Sequence, residues 1–225
     1  FGLLLMGLLP TSGMTISWTT FASGNVNAAI KMTIVGLVAG SLFTPLYAEF
    51  LMGQVVEVDV WATLLRIALV VFVPMVLGFI TQRVLVRIYG EEGFSARIKP
   101  RFPLIATLAV IIMIFAAMAL KAKALLGDPS MFLVIIPPLV LFYLLVFTLS
   151  TVAGRLFFSR PDGVALVYGT SVRNLSVALA IALSAFGSAG AEIALVISVA
   201  YIVQVQSAAG YLKLGARLLG RNEKK

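Results

Sequence analysis

An arginine and an asparagine interrupt one of the most apolar stretches of this sequence. Arg173 and Asn174 stand within GTSVRNLSVALAIAL, residues 169–183, directly after the apolar run GVALVY of residues 163–168. A charge at the middle of a bilayer costs at least about 2.5–3.5 kcal/mol, so it needs a partner, water or a ligand. Three roles stay open for Arg173: it binds an anionic solute, it pairs with an acid in spans that precede Phe1, or it caps carbonyls that a broken helix releases.

A second polar stretch echoes the first. PTSGMTISWTT, residues 10–20, also places proline or glycine beside several hydroxyl residues inside an apolar segment. Each stretch is expected to break its helix, and non-helical backbone at membrane depth is tolerated only against protein or a water-filled cavity. The two helices are predicted to run in opposite directions across the bilayer. Two such helices are the pattern of an inverted-repeat secondary transporter, whose substrate site lies where the breaks cross.

The composition places the whole chain in a membrane. Hydrophobic residues make up 61% of the 225 residues and charged residues only 12%, whereas a soluble domain is about 25% charged. A chain of this length cannot bury so much apolar surface in one aqueous core. The sequence therefore predicts an all-α integral membrane protein.

Some kinds of chemistry are excluded by the residue types that the sequence lacks. It contains no cysteine and no histidine, so it has no thiolate nucleophile, lacks the commonest metal ligands and has no proton carrier that titrates near neutral pH. The acids are too dispersed for a carboxylate dyad. We therefore expect no enzymatic activity, no cofactor and no bound metal. The net charge of +8 is attributed to cytoplasmic loops and not to a nucleic-acid partner.

The apolar segments divide the chain into about seven spans, each near the roughly 20 residues that cross a bilayer. The first is expected to be interrupted at residues 9–13, and the second at Thr44-Pro45 near its far end. Polar loops are predicted at residues 54–59, 83–102 and 155–163. The predicted spans are residues 1–22, 26–52, 60–82, 103–120, 131–153, 164–186 and 191–212.

Basic residues lie almost entirely on one side of these spans. Twelve fall in the second and third of these loops and in the C-terminal tail, against two on the opposite side. Because cytoplasmic loops are enriched in lysine and arginine, the C-terminus is predicted to be cytoplasmic and Phe1 to lie outside, in the cell inner (plasma) membrane. The twelve are Arg83, Arg87, Arg97, Lys99, Arg101, Arg155, Arg160, Lys213, Arg217, Arg221, Lys224 and Lys225, and the two are Lys121 and Lys123.

Three runs of residues resemble one transporter family. PTSGMTISWTTFASGNVNAAIKMT (10–33), LFTPLY (42–47) and SVRNLSVALAIALSAFG (171–187) resemble the bile acid:sodium symporter superfamily, and the last run is most similar to its arsenite-permease branch. The resemblance implies ten spans in two inverted five-helix repeats, with the fourth and ninth helices broken and crossing. This chain would supply the fourth to the tenth helix and lack the first three.

On that alignment the chain has three parts. Residues 1–52 form the end of the first inverted repeat, a broken helix and the span that follows it. Residues 60–213 form the second inverted repeat of five spans. Residues 214–225 form a basic cytoplasmic tail.

The chain departs from both branches at residues that matter for chemistry. Where sodium-coupled members carry an acidic residue and a Gln-Asn pair, this sequence has Gly169 and Arg173-Asn174. Where arsenite permeases carry a fourth-helix cysteine and a tenth-helix glutamate, it has Thr11 and Gln204. The resemblance thus implies transport of an arsenite-like metalloid or a small organic anion, with Arg173 as a fixed positive charge in place of a cation.

The combined prediction is a secondary active transporter that moves a small solute by alternating access. A sodium-coupled organic-anion or bile-acid-type symporter, and a non-transport structural subunit of a membrane assembly, stay as alternatives. Gln204 and Gln206 cannot share one helix face, and the alignment assigns Gln204 to the cavity. The expected partners are the lipid bilayer and a small-molecule or ion substrate. The predicted substrate-binding residues are Thr11, Ser12, Thr15, Thr170, Ser171, Arg173, Asn174 and Gln204.

Overall fold

The computed structural model describes residues 1–52, 61, 65, 69, 72–120, 122–127 and 129–220, and its regular structure there is helical. A π-helical turn, Phe94–Ile98, follows the fourth helix, and a 3-10 turn, Gly187–Ala189, precedes the last. The predicted all-α fold is confirmed for this part of the chain. The helices are α1 (Gly2–Leu8), α2 (Met14–Phe21), α3 (Val26–Met52), α4 (Val73–Gly93), α5 (Arg101–Leu120), α6 (Ala122–Gly127), α7 (Met131–Phe157), α8 (Arg160–Ser171), α9 (Leu175–Ala185) and α10 (Gly190–Leu218).

The interruptions predicted in the first and sixth spans are both present. The first span consists of α1 and α2, which are separated at Leu9–Gly13, and the sixth consists of α8 and α9, separated at Val172–Asn174. Three stretches of the described chain are long and apolar enough to cross a membrane unbroken: Val26–Thr44, Met131–Phe157 and Gly190–Gly215. Seven spans and an inverted repeat stay a prediction.

The predicted break at Thr44-Pro45 is wrong, because α3 runs without interruption from Val26 to Met52. A proline removes one backbone donor, and hydroxyls of neighbouring residues compensate for such losses inside membrane helices. Thr44 donates to the carbonyl of Gly40 in its own helix at 2.6 Å and to that of Leu8 at the end of α1 at 3.1 Å. The polar residue in this pair therefore joins two helices and does not end one.

The predicted charged loop at 83–102 is largely helical. Helix α4 continues to Gly93 and is kinked at Gly90, whose φ of 71° is a conformation that glycine adopts readily. The π-helical turn then leads almost directly into α5. Charged side chains can continue a helix beyond its apolar part; the Arg83 guanidinium, for example, lies 4.4 Å from the centre of the Phe79 ring. The charged residues of 83–102 show where the apolar segment ends. The helix itself continues beyond that point.

The same reason moves two other boundaries. Helix α7 extends to Phe157 and α8 begins at Arg160, so the predicted loop 155–163 shrinks to a short turn, and α10 extends to Leu218. Some predictions lie outside the described residues: the loop at 54–59, most of the first half of the span at 60–82, and the basic residues Lys121, Arg221, Lys224 and Lys225.

The buried core lies where α1 and α7–α10 meet. Helix α7 packs on α8, and α9 packs on α10, which also contacts α1 and α7. Lipid is as apolar as leucine, so close packing and interhelical hydrogen bonds hold such helices together. Fully buried large side chains of the core are Leu5, Met6, Leu9, Leu139, Tyr143, Tyr168, Leu175, Leu179, Ile181 and Leu195.

A polar cluster joins the turn between α2 and α3 to the start of α8. The Asn25 side-chain amide donates to Asp162 Oδ1 at 2.7 Å, and the Asn25 backbone N–H donates to the carbonyl of Pro161 at 2.8 Å. The Ser159 hydroxyl donates to Asp162 Oδ2 at 2.6 Å. One end of each broken helix is thereby tied to the other.

Replacing Asp162 with alanine should reduce the loss of stability that the protein shows as the pH falls into the acid range. Hydrogen bonds from Ser159 and Asn25 lower the pKa of the Asp162 carboxyl below its ordinary value. A depressed folded-state pKa means that this stabilisation is present at neutral pH and is lost as the pH falls through the acid range. We expect Asp162→Ala to lower the free energy of unfolding by ~1 kcal/mol at neutral pH and by less in acid. For a chain of this length that corresponds to a fall in Tm of about 2–4 °C at neutral pH.

Thermal unfolding of the complete protein in detergent across that pH range measures this. Glu92→Gln, at an exposed carboxylate on α4, is the control and should leave the pH dependence as in the wild type. If Asp162→Ala lowered the Tm by the same amount at neutral and acid pH, the ionised Asp162 carboxylate would not be the source of the stabilisation.

Candidate functional site

The two helix breaks run past each other as antiparallel extended segments. The Ser12 N–H donates to the carbonyl of Val172 at 3.0 Å, and the Asn174 N–H donates to that of Pro10 at 2.9 Å. Thr11 and Arg173 thus face each other as a bridged pair. Backbone groups that leave a helix inside a membrane need such partners. Here each break supplies them for the other.

Local chemistry explains why the helices stop here. Pro10 has no N–H to donate and disfavours helical geometry at Leu9, which is extended with ψ at 148°. On the other helix, Val172 is extended, and Asn174 caps α9 by accepting from the Val177 N–H at 3.3 Å. The Ser12 hydroxyl accepts from the Met14 N–H at 3.3 Å at the start of α2.

Three carbonyls at and just after the end of α1 accept hydrogen bonds from other parts of the structure. The carbonyl of Leu8 accepts from Thr44 on α3, and that of Pro10 accepts from Asn174. The carbonyl between them, that of Leu9, accepts from Arg173 Nη1 at 3.2 Å. Arg173 therefore caps a released carbonyl, which is one of the three roles left open for it. This role uses one of its N–H donors.

Two buried threonines add hydroxyl groups to the crossing. Thr11 and Thr15 lie one helical turn apart and share a hydrogen bond of 2.7 Å between their hydroxyls. Thr15 also donates to the carbonyl of Tyr168 at 3.2 Å, and Thr11 lies 3.4 Å from that of Val172. Both threonines hold the broken helices together.

Gln204 on α10 binds the backbone of Arg173 with both ends of its side-chain amide. Its Oε1 accepts from the Arg173 N–H at 2.8 Å, and its Nε2 donates to the Arg173 carbonyl at 3.2 Å. The Tyr143 hydroxyl on α7 donates to the same Oε1 at 2.9 Å. Gln204 is buried, whereas Gln206 is exposed, as two residues of this spacing must differ in direction.

The Arg173 guanidinium keeps most of its donors. The side chain is half-buried, and apart from the carbonyl of Leu9 it has no hydrogen-bond partner among the described residues. Its Nε is buried and unpaired, and no described carboxylate lies within ion-pair distance. A guanidinium has five N–H groups in a rigid planar fork that fits carboxylates and other oxyanions. The crossing therefore holds a positive charge with donors to spare.

Six of the eight predicted residues meet at the crossing by side chain or backbone: Thr11, Ser12, Thr15, Arg173, Asn174 and Gln204. The Thr170 hydroxyl donates to the carbonyls of Leu166 and Val167 in its own helix, so it does not join them. Ser171 is fully buried, and its hydroxyl has no partner among the described residues. The assignment of all eight to substrate binding stays a prediction.

Replacing Ser171 with alanine should leave stability unchanged or slightly improved. Its hydroxyl makes no hydrogen bond that the substitution could remove, and an unsatisfied buried polar group costs about 1–3 kcal/mol. Thr15→Val, which removes hydrogen bonds across the crossing, should instead cost about 1–2 kcal/mol. Thermal unfolding of both variants measures the contrast, and an equal loss in the two would contradict it.

Two features of the site were not predicted from the sequence, the hydroxyl of Tyr143 and the glycine pair on α3. Tyr143 is a phenol near the middle of the 27-residue apolar helix α7, where a hydroxyl needs a polar partner. Gly36 and Gly40 form a Gly-x-x-x-Gly pattern on α3, the usual sign of close helix contact in membranes. A Cβ on Gly40 would lie 2.5 Å from Pro10 Cβ, and one on Gly36 would lie 3.0 Å from Thr11 Cγ2. Both signals were readable in the sequence.

Two cavities adjoin the crossing without including the predicted residues among those that line them. One of about 520 Å³ lies between α7 and α10 and reaches Tyr143, the donor to Gln204. Another of about 210 Å³ reaches Tyr168, whose ring stacks on Trp18 at 6.1 Å and whose carbonyl accepts from Thr15. Each cavity thus touches a residue that contacts the crossing directly.

The arrangement suits binding rather than bond-making. It offers a guanidinium, hydroxyls and amides, with no thiol or imidazole in the sequence. Among the described residues, no group of three or more carboxylate, thiol or imidazole side chains could hold a metal ion. Such donors fit a small oxyanion or a polyhydroxyl solute.

Comparison with known proteins places this geometry in context. A family model described as the sodium bile acid symporter family matches residues 1–128. The arsenical-resistance protein Acr3 of Alkaliphilus metalliredigens (strain QYMF) is 24% identical over 91% of this chain and 58% of its own length. The probable chloroplastic sodium/metabolite cotransporter BASS5 of Arabidopsis thaliana is 31% identical over 78% of this chain and 43% of its own. An uncharacterized transporter of Synechocystis, slr0944, is 24% identical over 91% of this chain and 54% of its own.

The chain spans about half the length of the curated relatives it matches. The family match covers more than half of the chain, and the relatives' similarity continues through the second broken helix. The resemblance that the residue runs implied is thereby confirmed. This helical membrane chain, with its two broken helices crossing at Thr11 and Arg173, belongs to the sodium bile acid symporter family.

Proposed function

We propose that the protein containing this chain is a secondary active transporter that moves a small solute by alternating access. The observation that carries the proposal is the Arg173 guanidinium, which lies at the crossing of two broken helices with an unpaired Nε and no described carboxylate partner. Keeping such a charge inside a membrane is costly, and intramembrane ionisable residues mark solute pathways. The proposed solute site is the crossing, where Thr11, Ser12, Thr15, Asn174 and Gln204 accompany Arg173, with Thr170 and Ser171 next to it at the end of α8.

The favoured solute is a small organic anion. A guanidinium binds a carboxylate through two parallel hydrogen bonds, and charge-assisted bonds of this kind are about twice as strong as neutral ones. The anion would offset the positive charge that the described residues leave unpaired. The unpaired hydroxyl of Ser171, two residues before Arg173, is a further donor or acceptor near that position.

An arsenite-like metalloid is the second candidate, favoured by similarity to a relative named for arsenical resistance over 91% of this chain. The residues fit this solute less well, since the sequence has no cysteine to bind a soft metalloid through a thiolate. Hydroxyls and amides at the crossing could still bind a neutral trihydroxy species. Sodium coupling, by analogy with the relative named as a sodium/metabolite cotransporter, is the alternative mode of energy coupling.

We place the protein in the plasma membrane with a cytoplasmic C-terminus. Support comes from the hydrogen bonds of Asn25 to the Asp162 carboxylate and the Pro161 carbonyl, which bring the turn after α2 to the same end of the molecule as the basic segment around Arg155 and Arg160. The positive-inside rule assigns that segment to the cytoplasm.

Solute uptake and efflux in cells test the proposal. The complete protein is expressed in cells that lack their own arsenite pump, and accumulation of arsenite and uptake of a panel of labelled small carboxylates are measured with and without a sodium gradient. Uptake or exchange of a carboxylate supports the favoured solute, whereas lower arsenite accumulation supports the second candidate. Loss of movement on collapsing the sodium gradient assigns the coupling. No change for any of these solutes, with the protein confirmed in the membrane, would count against the proposed function.

A further inference from the structure

We infer that Gln204 and Tyr143 are positioning residues, which hold the backbone of Arg173 and so direct its guanidinium at the solute without touching the solute themselves. This inference rests on the proposed function for the role of Arg173. It also revises the prediction that Gln204 binds substrate. Tyr143 had no assigned role.

The geometry of the bridge explains why Arg173 needs an outside partner. The two hydrogen bonds between the breaks join Ser12 to Val172 and Pro10 to Asn174, which flank the Thr11–Arg173 pair. In an antiparallel pair of this kind the backbone N–H and carbonyl of the central residue point away from the neighbouring strand. Those of Arg173 therefore face α10, where no further strand is available in the described chain.

Gln204 takes the place of that strand. A peptide group pairs with its neighbour by donating one hydrogen bond and accepting another, and the primary amide of Gln204 does both with one residue. The Arg173 carbonyl also accepts from the Leu175 N–H at 3.0 Å. An unpaired Arg173 N–H would cost about 1–3 kcal/mol in this buried setting.

Tyr143 fixes the orientation of the amide. Its hydroxyl donates to the Oε1 of Gln204, so this oxygen accepts two hydrogen bonds, which is its full capacity. The Nε2 then faces the Arg173 carbonyl. Gln204 is only 1% exposed, its oxygen is saturated, and one of its two N–H groups donates to Arg173, so a single buried N–H is left for a solute.

The backbone position of Arg173 decides where its side chain starts. A shift of about 1 Å in a binding group can cost on the order of 100-fold in function. Losing the Gln204 hydrogen bonds should therefore weaken solute binding without removing the charge. The expected sign is a higher half-saturation concentration with the guanidinium intact.

The test compares Gln204→Met and Tyr143→Phe with a matched control, Tyr201→Phe. Methionine keeps the length and approximate volume of glutamine without its hydrogen bonds. Tyr201 is another buried tyrosine, whose hydroxyl bonds to Ser176 at 2.6 Å rather than to Gln204. Two readouts are taken on the complete protein: hydrogen exchange of the peptide covering residues 172–175, and the half-saturation concentrations for arsenite and for pyruvate.

We expect faster exchange at residues 172–175 in Gln204→Met, and to a smaller degree in Tyr143→Phe, with the control unchanged. The half-saturation concentration of the transported probe should rise by about tenfold or more in Gln204→Met, measured well below the Tm, which the unpaired Arg173 N–H should lower. Unchanged exchange overturns the inference, and so does faster exchange with an unchanged half-saturation concentration. If the wild type moves neither arsenite nor any carboxylate of the panel while exchange still rises in Gln204→Met, the proposed function fails and the hold on the Arg173 backbone stands.

Discussion

Replacing Arg173 with alanine is expected to lower solute transport by about 100-fold or more. Each hydrogen bond to a charged group contributes about 1.5–3 kcal/mol, and a bidentate contact to an anion contains two. The substitution also leaves the Leu9 carbonyl without its described donor. The backbone hydrogen bonds of residue 173 to Gln204 remain, so the breaks should still cross. Initial rates of transport in vesicles that contain equal amounts of protein measure the effect.

Two further variants separate charge from geometry. Arg173→Lys keeps the charge but cannot form the bidentate contact, so it should recover only part of the rate. Arg87→Ala removes an exposed arginine from α4 and should leave transport at the wild-type level. Transport by Arg173→Ala within about twofold of the wild type, for every solute that the wild type moves, would remove Arg173 from the site.

The substitution Gly40→Ala on α3 is expected to disturb the crossing by pushing on Pro10. A Cβ at this position would lie 2.5 Å from Cβ and 2.9 Å from Cγ of Pro10, a rigid ring within the first break. Overpacking of this kind costs about 1–3 kcal/mol, which corresponds to roughly 2–10 °C in Tm for a protein of this size. Since the Pro10 carbonyl accepts from the Asn174 N–H, moving Pro10 should also weaken transport.

Gly210→Ala is the matched control for Gly40→Ala. It makes the same substitution in the interior of α10, where a new Cβ has no neighbour within 4 Å. Because alanine is a better helix former than glycine by about 0.8–1 kcal/mol, this variant should keep or slightly raise the Tm. Opposite signs at Gly40 and Gly210 are thus the expected result of thermal unfolding. A Gly40→Ala protein as stable as Gly210→Ala would show that α3 does not press on Pro10.

The positions of the helix breaks could be predicted because they depend on local chemistry. Pro10 and the hydroxyl residues beside it disfavour a helix through their own backbone and side-chain chemistry, and so does the stretch Val172–Asn174 before an apolar run. The wrong prediction of a break at Thr44-Pro45 came from the same local chemistry, because it treated the proline alone as enough to end a helix. Whether a proline ends a helix depends on what its neighbours contact, and Thr44 contacts the end of α1.

Which polar groups bind each other could not be read from the sequence. Gln204 was assigned to the cavity because it aligns with a tenth-helix glutamate of arsenite permeases, and in the structure both ends of its amide bind the backbone of Arg173. That geometry depends on the register between α10 and the second break, which no local pattern encodes. Thr170 was placed with the site by its position in the sequence, but its hydroxyl is occupied within α8.

Accessibility of the crossing from the two sides of the membrane tests the central claim most directly. The sequence has no cysteine, so Ser12→Cys adds one thiol to this chain, at a 9% exposed position in the first break. Ser198→Cys, at a buried serine on α10, serves as the control. Both are made in the complete protein, with any other cysteines replaced, and labelled with a membrane-impermeant thiol reagent from either side. We predict that Ser12→Cys reacts from both sides and is slowed by the transported solute, while Ser198→Cys reacts from neither. Equal inertness of the two, or labelling of Ser12→Cys that no solute changes, would contradict a solute site at the crossing.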